Sequence, residues 1–406
     1  MSTRTPRSAA TVYNVLYAIS FVHLLNDSIQ SVVPAIFPIL KASLALTFTE
    51  IGFIAFALNL TASLLQPLVG LFTDARPKPY LLPAGMCFTA AGVAALALSR
   101  TFPAILLSVV LIGVGSAVLH PESSRVAHMA AGERRGLAQA IFQVGGNSGQ
   151  ALAPIMTALI FVPLGQRGVI WFTFVAVAAI IVQLFIARWY ALHTAERRER
   201  PRPARAAAPP GRSRRVGFVL SILVLLVFSK MVYEAGIVNY YPFYLIHHFG
   251  LPVREAQYFT FTLLAAGAAG TFLGGPAADR FGRRNVIWFS ILGTAPFALI
   301  LPYANLFWSA VFCGLIGLIL LSSFSVIVVY AQELLPGRVG TVSGLFFGLA
   351  FGLGGTGAAA LGSLADSAGL FAVMQFCSFL PLLGLLAALL PADRRLREWT
   401  AESPAL

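Results

Sequence analysis

Charged residues are scarce in this sequence: 28 lysines and arginines and 15 aspartates and glutamates make up 11% of 406 residues. A soluble domain carries charge on about a quarter of its residues, so this composition excludes an ordinary soluble protein. Hydrophobic residues account for 58% of the chain and occur in long runs. Runs of about 20 apolar residues cross a bilayer as helices, and the alternating segments of a membrane barrel are missing. The sequence therefore predicts an all-α membrane protein.

Cysteine is rare as well. Cys87, Cys313 and Cys377 lie within apolar runs without metal-ligand spacing, which excludes a disulfide framework and indicates small buried side chains. The catalytic signatures HExxH and GxSxG do not occur, which disfavours a membrane-embedded enzyme. The net charge of +13 does not indicate a nucleic-acid partner, because the basic residues lie in short loops between apolar runs. The sequence also has no nucleic-acid-binding motif. We expect no enzymatic activity, no cofactor, no bound metal and no nucleic-acid partner.

Twelve apolar runs predict twelve transmembrane helices. The runs cover residues 12–40, 49–73, 79–99, 103–130, 134–162, 167–191, 216–246, 254–278, 284–302, 305–333, 337–365 and 369–390. Most lysines and arginines lie in loops on one side, and only Lys41, Arg100, Arg167 and Arg254 fall on the other. The positive-inside rule then places both termini in the cytoplasm.

An internal repeat divides the chain into two parts. The loop after the second helix reads GLFTDARPKP from Gly70, and the loop after the eighth reads GPAADRFGRR from Gly275. A repeat at about half the chain length is typical of transporters built from two parallel units. We predict two pseudo-symmetric six-helix halves and two basic cytoplasmic segments. The halves are residues 1–192 and 216–390, the linker is 193–215 and the tail is 391–406.

The second loop carries a family resemblance. It is similar to the G-x3-D-[RK]-x-G-[RK]-[RK] loop of the major facilitator superfamily, through Gly275, Asp279, Arg280, Gly282, Arg283 and Arg284. The first copy keeps Gly70 and Asp74 but has Ala75 and Pro77 where a basic residue and a glycine are expected. The resemblance implies the major facilitator fold and a gating role for these loops.

Three further stretches resemble a bacterial family within that superfamily that confers fosmidomycin resistance. They are HLLNDSIQS from His23, HPESSRVA from His120 and AQELLPGRVGTVSGLFFG from Ala331. The resemblance implies a proton-driven antiporter of the bacterial inner membrane, which exports a small anionic phosphonate from the cytoplasm by alternating access. It also implies a monomer, embedded in lipid, whose partners are the solute and protons. The alternative is a proton-coupled importer of an organic phosphate or a sugar acid, which the same basic cavity would fit.

Ionisable residues within the apolar runs are the candidates for proton coupling, because a charge at the bilayer centre costs at least about 2.5–3.5 kcal/mol. His23 and Asp27 are four residues apart, share a helix face and can hold or release a proton together. The alternative for Asp27 is a structural bond to a neighbouring helix. Glu122 and Glu234 are the other candidates.

The fourth helix supplies most of the predicted substrate contacts. Arg125 is expected to bind the phosphonate, since a guanidinium bonds two oxygens at once. The alternative is an Arg125–Glu122 pair that holds the helices together. His120, Ser123 and Ser124 lie near a common face of the same helix, which Pro121 is expected to kink.

Two other helices complete the predicted binding site. Lys230 of the seventh helix offers a second cation for the substrate, or forms a structural pair with Glu234 four residues on. Tyr233 offers a hydroxyl group. Gln143 and Asn147 share a face of the fifth helix and are expected to line the cavity.

Charged residues at the cytoplasmic ends of the helices are predicted to form an inner gate of ion pairs. Such pairs would form in one state and break in another, as alternating access requires. The predicted gate residues are Asp74, Asp279, Arg280, Arg283, Glu333 and Arg338.

Overall fold

The computed structural model describes residues 11–132, 135–198, 213–335 and 339–395, and this part of the chain contains helices and no strand. We refer to residues 11–198 as the N-terminal segment and to residues 213–395 as the C-terminal segment. The α-helices are α1 (Tyr13–Ala35), α2 (Phe37–Leu44), α3 (Phe48–Ala75), α4 (Leu81–Leu98), α5 (Phe102–Ala130), α6 (Arg135–Met156), α7 (Val162–Leu164), α8 (Trp171–Arg198), α9 (Ser213–Phe249), α10 (Val253–Phe281), α11 (Arg283–Leu292), α12 (Ala295–Ile300), α13 (Leu306–Leu320), α14 (Phe324–Leu334) and α15 (Val339–Phe379). A π-helical turn covers Thr157–Phe161, and 3-10 turns cover Gln166–Ile170, Leu301–Tyr303, Leu321–Ser323 and Leu380–Leu389.

Ten spans in the described part of the chain are long and apolar enough to cross a membrane. The predicted first helix is not among them, because His23, Asn26, Asp27 and Gln30 lower the hydropathy of α1. The predicted last two helices fall in one 46-residue span, Gly344–Leu389, about twice the length that one crossing needs. The all-α membrane fold is confirmed, and the count of twelve crossings stays a prediction.

Local sequence signals explain where several helices begin and break. Thr47 and Glu50 form a capping box at the start of α3, with each side chain bonding the other residue's backbone N–H. The chain leaves helical geometry at Gly369 within α15, where φ is 85° and ψ is 168°. Glycine adopts this positive φ without the strain that a Cβ would cause.

Glycines bring α6 unusually close to α1. A Cβ added at Gly145 or Gly149 would overlap the backbone carbonyl of Ser20 or Leu24 in α1, so no larger residue fits. Small residues at such positions are typical of tightly packed membrane helices. The close approach places the polar side chains of α1 and α6 against each other.

The outer surface carries large apolar side chains, such as Phe174 and Phe307, which are 66% and 69% exposed. A soluble monomer rarely exposes so continuous an apolar surface, so lipid covers it.

We call the end where α3 and α10 finish the basic end, because Arg76, Lys78, Arg280, Arg283 and Arg284 lie there. The opposite end, where α3 and α10 begin, is the distal end.

Candidate functional site

A central cavity of about 240 Å³ lies between the two segments. Drug-sized ligands occupy pockets of about 300–1,000 Å³, so this cavity suits a smaller solute. Its polar and charged lining residues are His23, Asp27, Gln30, Ser31, Asn59, His120, Gln143, Asn147, Gln150, Lys230, Glu234, Asn239, Thr260, Thr271 and Ser325. The aromatic rings of Phe324, Phe347 and Phe351 also line it.

Asp27 lies between two imidazoles in the wall that the N-terminal segment contributes. Its Oδ2 is 3.3 Å from Nε2 of His23, one turn earlier on α1. Its Oδ1 is 3.7 Å from Nε2 of His120 on α5. All three side chains are buried, and the two rings meet edge to face at a centroid distance of 5.2 Å. The His23–Asp27 pair predicted from spacing is therefore present, and His120 joins it.

The orientation of His23 determines which of its ring nitrogens can share a proton with Asp27. Nδ1 of His23 lies 2.8 Å from the carbonyl oxygen of Phe142, an acceptor that requires a proton on this nitrogen. Nε2 faces the carboxylate of Asp27, and a proton between these two atoms would make the contact attractive. Without that proton, a nitrogen lone pair would face a carboxylate, and the contact would become repulsive. The strength of this contact therefore depends on the protonation of the pair.

Helix α6 supplies two further contacts to the cluster. Nε2 of Gln150 donates to Oδ2 of Asp27 at 3.0 Å. Gly146 lies beside the His23–Asp27 contact, where an added Cβ would come 2.9 Å from Oδ2 of Asp27. On the far side, Ser116 accepts a hydrogen bond from Gln30 and lies 3.3 Å from Nδ1 of His120. Residues of α1, α5 and α6 thus hold the side chains of His23, Asp27 and His120 in place through polar contacts.

The same three side chains offer metal-ligand atoms within 4.8 Å of one another. Two imidazoles and one carboxylate suit a first-row transition metal. The backbone carbonyls behind the Nδ1 atoms of His23 and His120 orient both Nε2 atoms toward Asp27. The geometry accommodates either a shared proton or a small cation at this point of the cavity.

Lys230 and Glu234 lie in the wall that the C-terminal segment contributes, one turn apart on α9. Lys230 is 1% exposed, and its Nζ lies 5.5 Å from the centroid of the Phe324 ring. A desolvated ammonium attracts anions more strongly than one in water, because the local dielectric constant is low. The cavity therefore faces a protonatable cluster on one side and an ammonium group on the other.

The sequence profile of the Major Facilitator Superfamily matches residues 16–359 and 255–405. The chain belongs to the major facilitator superfamily. It is therefore a multi-pass membrane transporter, and members of the superfamily carry small molecules. The fold and family predicted from the loop at Gly275 are confirmed.

Two curated relatives match nearly the whole chain. The fosmidomycin resistance protein of Escherichia coli is 53% identical over 386 residues, which cover 95% of each chain. The uncharacterised transporter YfnC of Bacillus subtilis is 51% identical over 394 residues, which cover 97% of this chain and 96% of YfnC. The predicted resemblance to the fosmidomycin resistance family is confirmed.

Solved structures of other transporters share the fold. A bacterial homologue of the human lysosomal transporter Spinster, crystallised in an inward-facing and occupied conformation, superposes with a TM-score of 0.74. It is 17% identical, and the match covers 94% of this chain and 97% of that one. The nucleoside transporter NupG superposes with a TM-score of 0.70 at 13% identity, over 93% and 99% of the two chains.

Of the substrate-binding residues predicted for this superfamily member, His120, Lys230, Gln143 and Asn147 line the cavity. Nε2 of Gln143 donates to Oδ1 of Asn147 at 3.4 Å. Ser123, Ser124 and Tyr233 are not among the lining residues. The hydroxyls of Ser123 and Tyr233 are buried without a hydrogen-bond partner. The substrate role of these last three residues stays a prediction.

Arg125 lies outside the cavity lining, in a cluster toward the basic end. Its guanidinium donates to the carbonyl oxygen of Thr73, to Oγ1 of Thr73 at 3.1 Å and to the hydroxyl of Tyr190 at 3.4 Å. Nη2 is 3.6 Å from Oε1 of Glu122, and Tyr190 donates to Oε2 of Glu122 at 3.2 Å. The structure pairs Arg125 with Glu122, as the structural alternative to substrate binding predicted. Neither residue lines the cavity.

The predicted gate residues divide into three groups. Arg283 forms an ion pair with Glu333, and its backbone N–H donates to Asp393 at 2.9 Å. Asp279 and Arg280 are exposed at the end of α10, where Arg280 lies over the Phe281 ring at 5.3 Å. The side chain of Asp74 and the whole of Arg338 lie outside the described residues. The Arg283–Glu333 pair joins two helices of the C-terminal segment.

Sequence reasoning missed Gln30, Asn59, Gln150 and Asn239, which also line the cavity. A signal for Gln150 was available, because residues 143, 147 and 150 follow the i, i+4, i+7 spacing of one helix face. Gln30 lies seven residues from His23 and extends the polar face of α1 in the same way. No pattern of this kind marks Asn59 or Asn239.

Proposed function

We propose that this transporter is a proton-coupled antiporter that exports a small anionic phosphonate of the fosmidomycin type by alternating access. The observation that carries the proposal is the cavity itself, which has the Asp27 cluster in one wall and Lys230 in the other. A protonatable cluster and a cation that share one cavity allow proton and anion to influence each other's binding. The similarity to the fosmidomycin resistance protein of Escherichia coli supplies the substrate class.

Proton binding is assigned to Asp27, His23 and His120, with Glu234 as a further candidate on α9 and Glu122 as a more remote one. Loss of the proton between His23 and Asp27 turns an attractive contact into a repulsive one, so the two protonation states favour different packing of α1 against α6. A differential preference of this kind is what coupling to a conformational change requires. We assign a proton to the cluster in preference to a metal ion, because a proton satisfies the ring nitrogen and the carboxylate at their present separation.

Substrate binding is assigned first to Lys230. An oxyanion that approaches it would also meet amide donors from Gln143, Asn147 and Asn239, while the rings of Phe324 and Phe351 would contact its carbon chain. Arg125 is a second cation that would reach the solute only after leaving Glu122. The affinity of the closed cavity for an anion is therefore expected to depend on Lys230 more than on Arg125.

The architecture proposed for this function has twelve crossings in two pseudo-symmetric halves. The span Gly344–Leu389 would cross twice and turn at Gly369, and α1 with α2 would form the first crossing. The protein would lie in the bacterial inner membrane as a monomer, with both termini and the basic end in the cytoplasm. Its polar first helix resembles those of transporters, in which intramembrane ionisable groups face the protein interior.

The test is transport of fosmidomycin in proteoliposomes with an imposed pH gradient. Wild-type protein is expected to move the drug uphill against proton flow. Asp27→Asn is expected to lose gradient-driven transport and to keep counterflow exchange, because the amide cannot bind a proton. Lys230→Met is expected to lose both activities. If wild-type protein moves the drug in the same direction as the protons, the importer alternative replaces export. Organic phosphates then become the next solutes to assay.

A further inference from the structure

Two side chains of the C-terminal segment bond backbone groups of the N-terminal segment at the distal end. We propose that these residues, Asp366 and Gln257, are the distal gate of the cavity, and that they close it by capping helix ends. The inference rests on the alternating access of the proposed function and is independent of which solute is carried. Neither residue belongs to the charged loops at the basic end.

Asp366 completes the N-terminal cap of α3. The first N–H groups of a helix have no partner within it. In α3, the capping box satisfies the N–H groups of Glu50 and Thr47. The N–H groups of Phe48 and Thr49 remain, and they donate to the two carboxylate oxygens of Asp366 at 2.9 and 2.6 Å. The Asp366 carboxylate, from the C-terminal segment, thus accepts hydrogen bonds from the two N–H groups that the capping box does not satisfy. It lies at the positive end of the α3 dipole.

Gln257 performs the equivalent task at the break between α1 and α2. In a continuous helix the carbonyl of Ala35 would accept from the N–H of Ile39, but that N–H donates to Ile36 instead. Nε2 of Gln257 donates to the released carbonyl of Ala35 at 3.0 Å. Gln257 is fully buried, and Ala35 lines the cavity. Separation of the segments at this point would open a route from the distal end directly to the solute.

Aromatic packing surrounds these two contacts. The Phe48 ring meets the Phe243 ring edge to face at 5.2 Å and the Tyr240 ring at 6.5 Å. Lys41 covers the other side of Phe48, with Nζ 4.0 Å from the ring centroid. The two caps and the rings therefore form one closure that joins α1 and α3 to α9, α10 and α15.

Backbone caps suit a gate because water can replace them. Asp366 is exposed, so the N–H groups of Phe48 and Thr49 and the carboxylate become hydrated when the segments part. Breaking such a bond where water can enter costs less than breaking a buried ion pair. The gate can hold the distal end closed and still open within a transport cycle.

The experiment measures the distance across the distal end by double electron–electron resonance in protein reconstituted without drug or pH gradient. Spin labels are attached at Ala42→Cys and Ala368→Cys, two exposed positions on opposite segments, in protein whose native cysteines are replaced by serine. Asp366→Ala and Gln257→Ala are each expected to raise the ratio of long to short distances by about fivefold, as the loss of one cap implies. Asp366→Asn, which keeps one acceptor oxygen, is expected to give a smaller rise.

Two control variants separate gating from stability. Ser367→Ala removes a hydroxyl that bonds the carbonyl oxygens of Ser363 and Leu364 within α15. Gln375→Ala removes an amide bonded to Tyr303 within the C-terminal segment. Both are expected to leave the distances unchanged. If the distances stay unchanged in Asp366→Ala and Gln257→Ala as well, while Tm falls, the two residues only stabilise helix ends and the gate proposal is overturned. Because no solute is present, failure of fosmidomycin transport would not affect this result.

Discussion

Gly146 of α6 packs directly against the imidazole of His23 in α1. A Cβ at position 146 would come within 2.5 Å of Nε2 of His23, the nitrogen that faces Asp27. A carbon atom cannot occupy that space unless the ring moves. The absence of a side chain at position 146 is therefore a condition for the His23–Asp27 contact.

We expect Gly146→Ala to impair proton-coupled transport strongly. Overpacking of this kind costs about 1–3 kcal/mol, which corresponds to roughly a five- to hundredfold reduction if it acts on the coupled state alone. Gradient-driven uptake and counterflow should be measured side by side, since loss of the proton site affects the first more than the second.

Gly344→Ala is the matched control for that substitution. Among the described residues, its added Cβ would meet no atom within 4 Å outside its own stretch of helix, and alanine favours a helix over glycine by about 1 kcal/mol. This variant should transport like wild-type protein and unfold at the same temperature or a higher one. Normal coupling in Gly146→Ala would show that the His23–Asp27 contact is not needed for transport.

Arg125→Ala is expected to reduce stability more than solute affinity. Arg125 and Tyr190 both bond Glu122, which is fully buried. Removal of one partner of a buried pair leaves an uncompensated charge and typically costs about 3–5 kcal/mol. Thermal unfolding in detergent should show a lower Tm, while the KM of the remaining folded protein changes little.

The double variant Arg125→Ala with Glu122→Gln tests the reason for that loss. The second substitution removes the unpaired charge, so Tm is expected to recover part of the way toward the wild-type value. Tm unchanged from wild type in Arg125→Ala, together with a large rise in KM, would restore Arg125 to the substrate site and contradict the structural role.

The Arg283–Glu333 pair is expected to affect rate rather than stability. The side chains of Arg283 and Glu333 are 21% and 37% exposed, and ion pairs in contact with water contribute only about 0–1 kcal/mol. Arg283→Ala should therefore leave Tm nearly unchanged, and it should slow transport if the pair belongs to a gate. A charge exchange, Arg283→Glu with Glu333→Arg, should recover the rate. Wild-type rates in Arg283→Ala would remove this pair from the gating mechanism.

The positions of most long helices could be predicted from the sequence, because a run of about 20 apolar residues is long enough to cross a membrane as a helix. Helix α1 shows the limit of that rule. Its polar residues, His23 and Asp27 among them, lower its hydropathy below that of the ten candidate spans. Gly369 shows another limit, since one residue with positive φ breaks the helical geometry of a 46-residue apolar span in which no polar loop occurs.

Direct contacts within the candidate site could be predicted only where the two residues share a helix. The contact between His23 and Asp27 follows from a spacing of four, whereas the approach of His120 to Asp27 depends on how α5 packs against α1. Arg125 is only five residues from His120, yet it points toward Thr73 and Glu122 because five residues turn a helix by more than a full circle. Side-chain direction of this kind is decided by tertiary packing.

The closure at the distal end has a consequence for comparisons among homologous sequences. Asp366 and Gln257 bond peptide groups of Phe48, Thr49 and Ala35, and every residue except proline offers the same N–H and C=O groups. Substitutions on the N-terminal side therefore leave these bonds intact, and no compensating change is selected on the C-terminal side. Methods that find contacts from correlated substitutions would not register these two caps, and only a structure or a direct measurement of opening would reveal them.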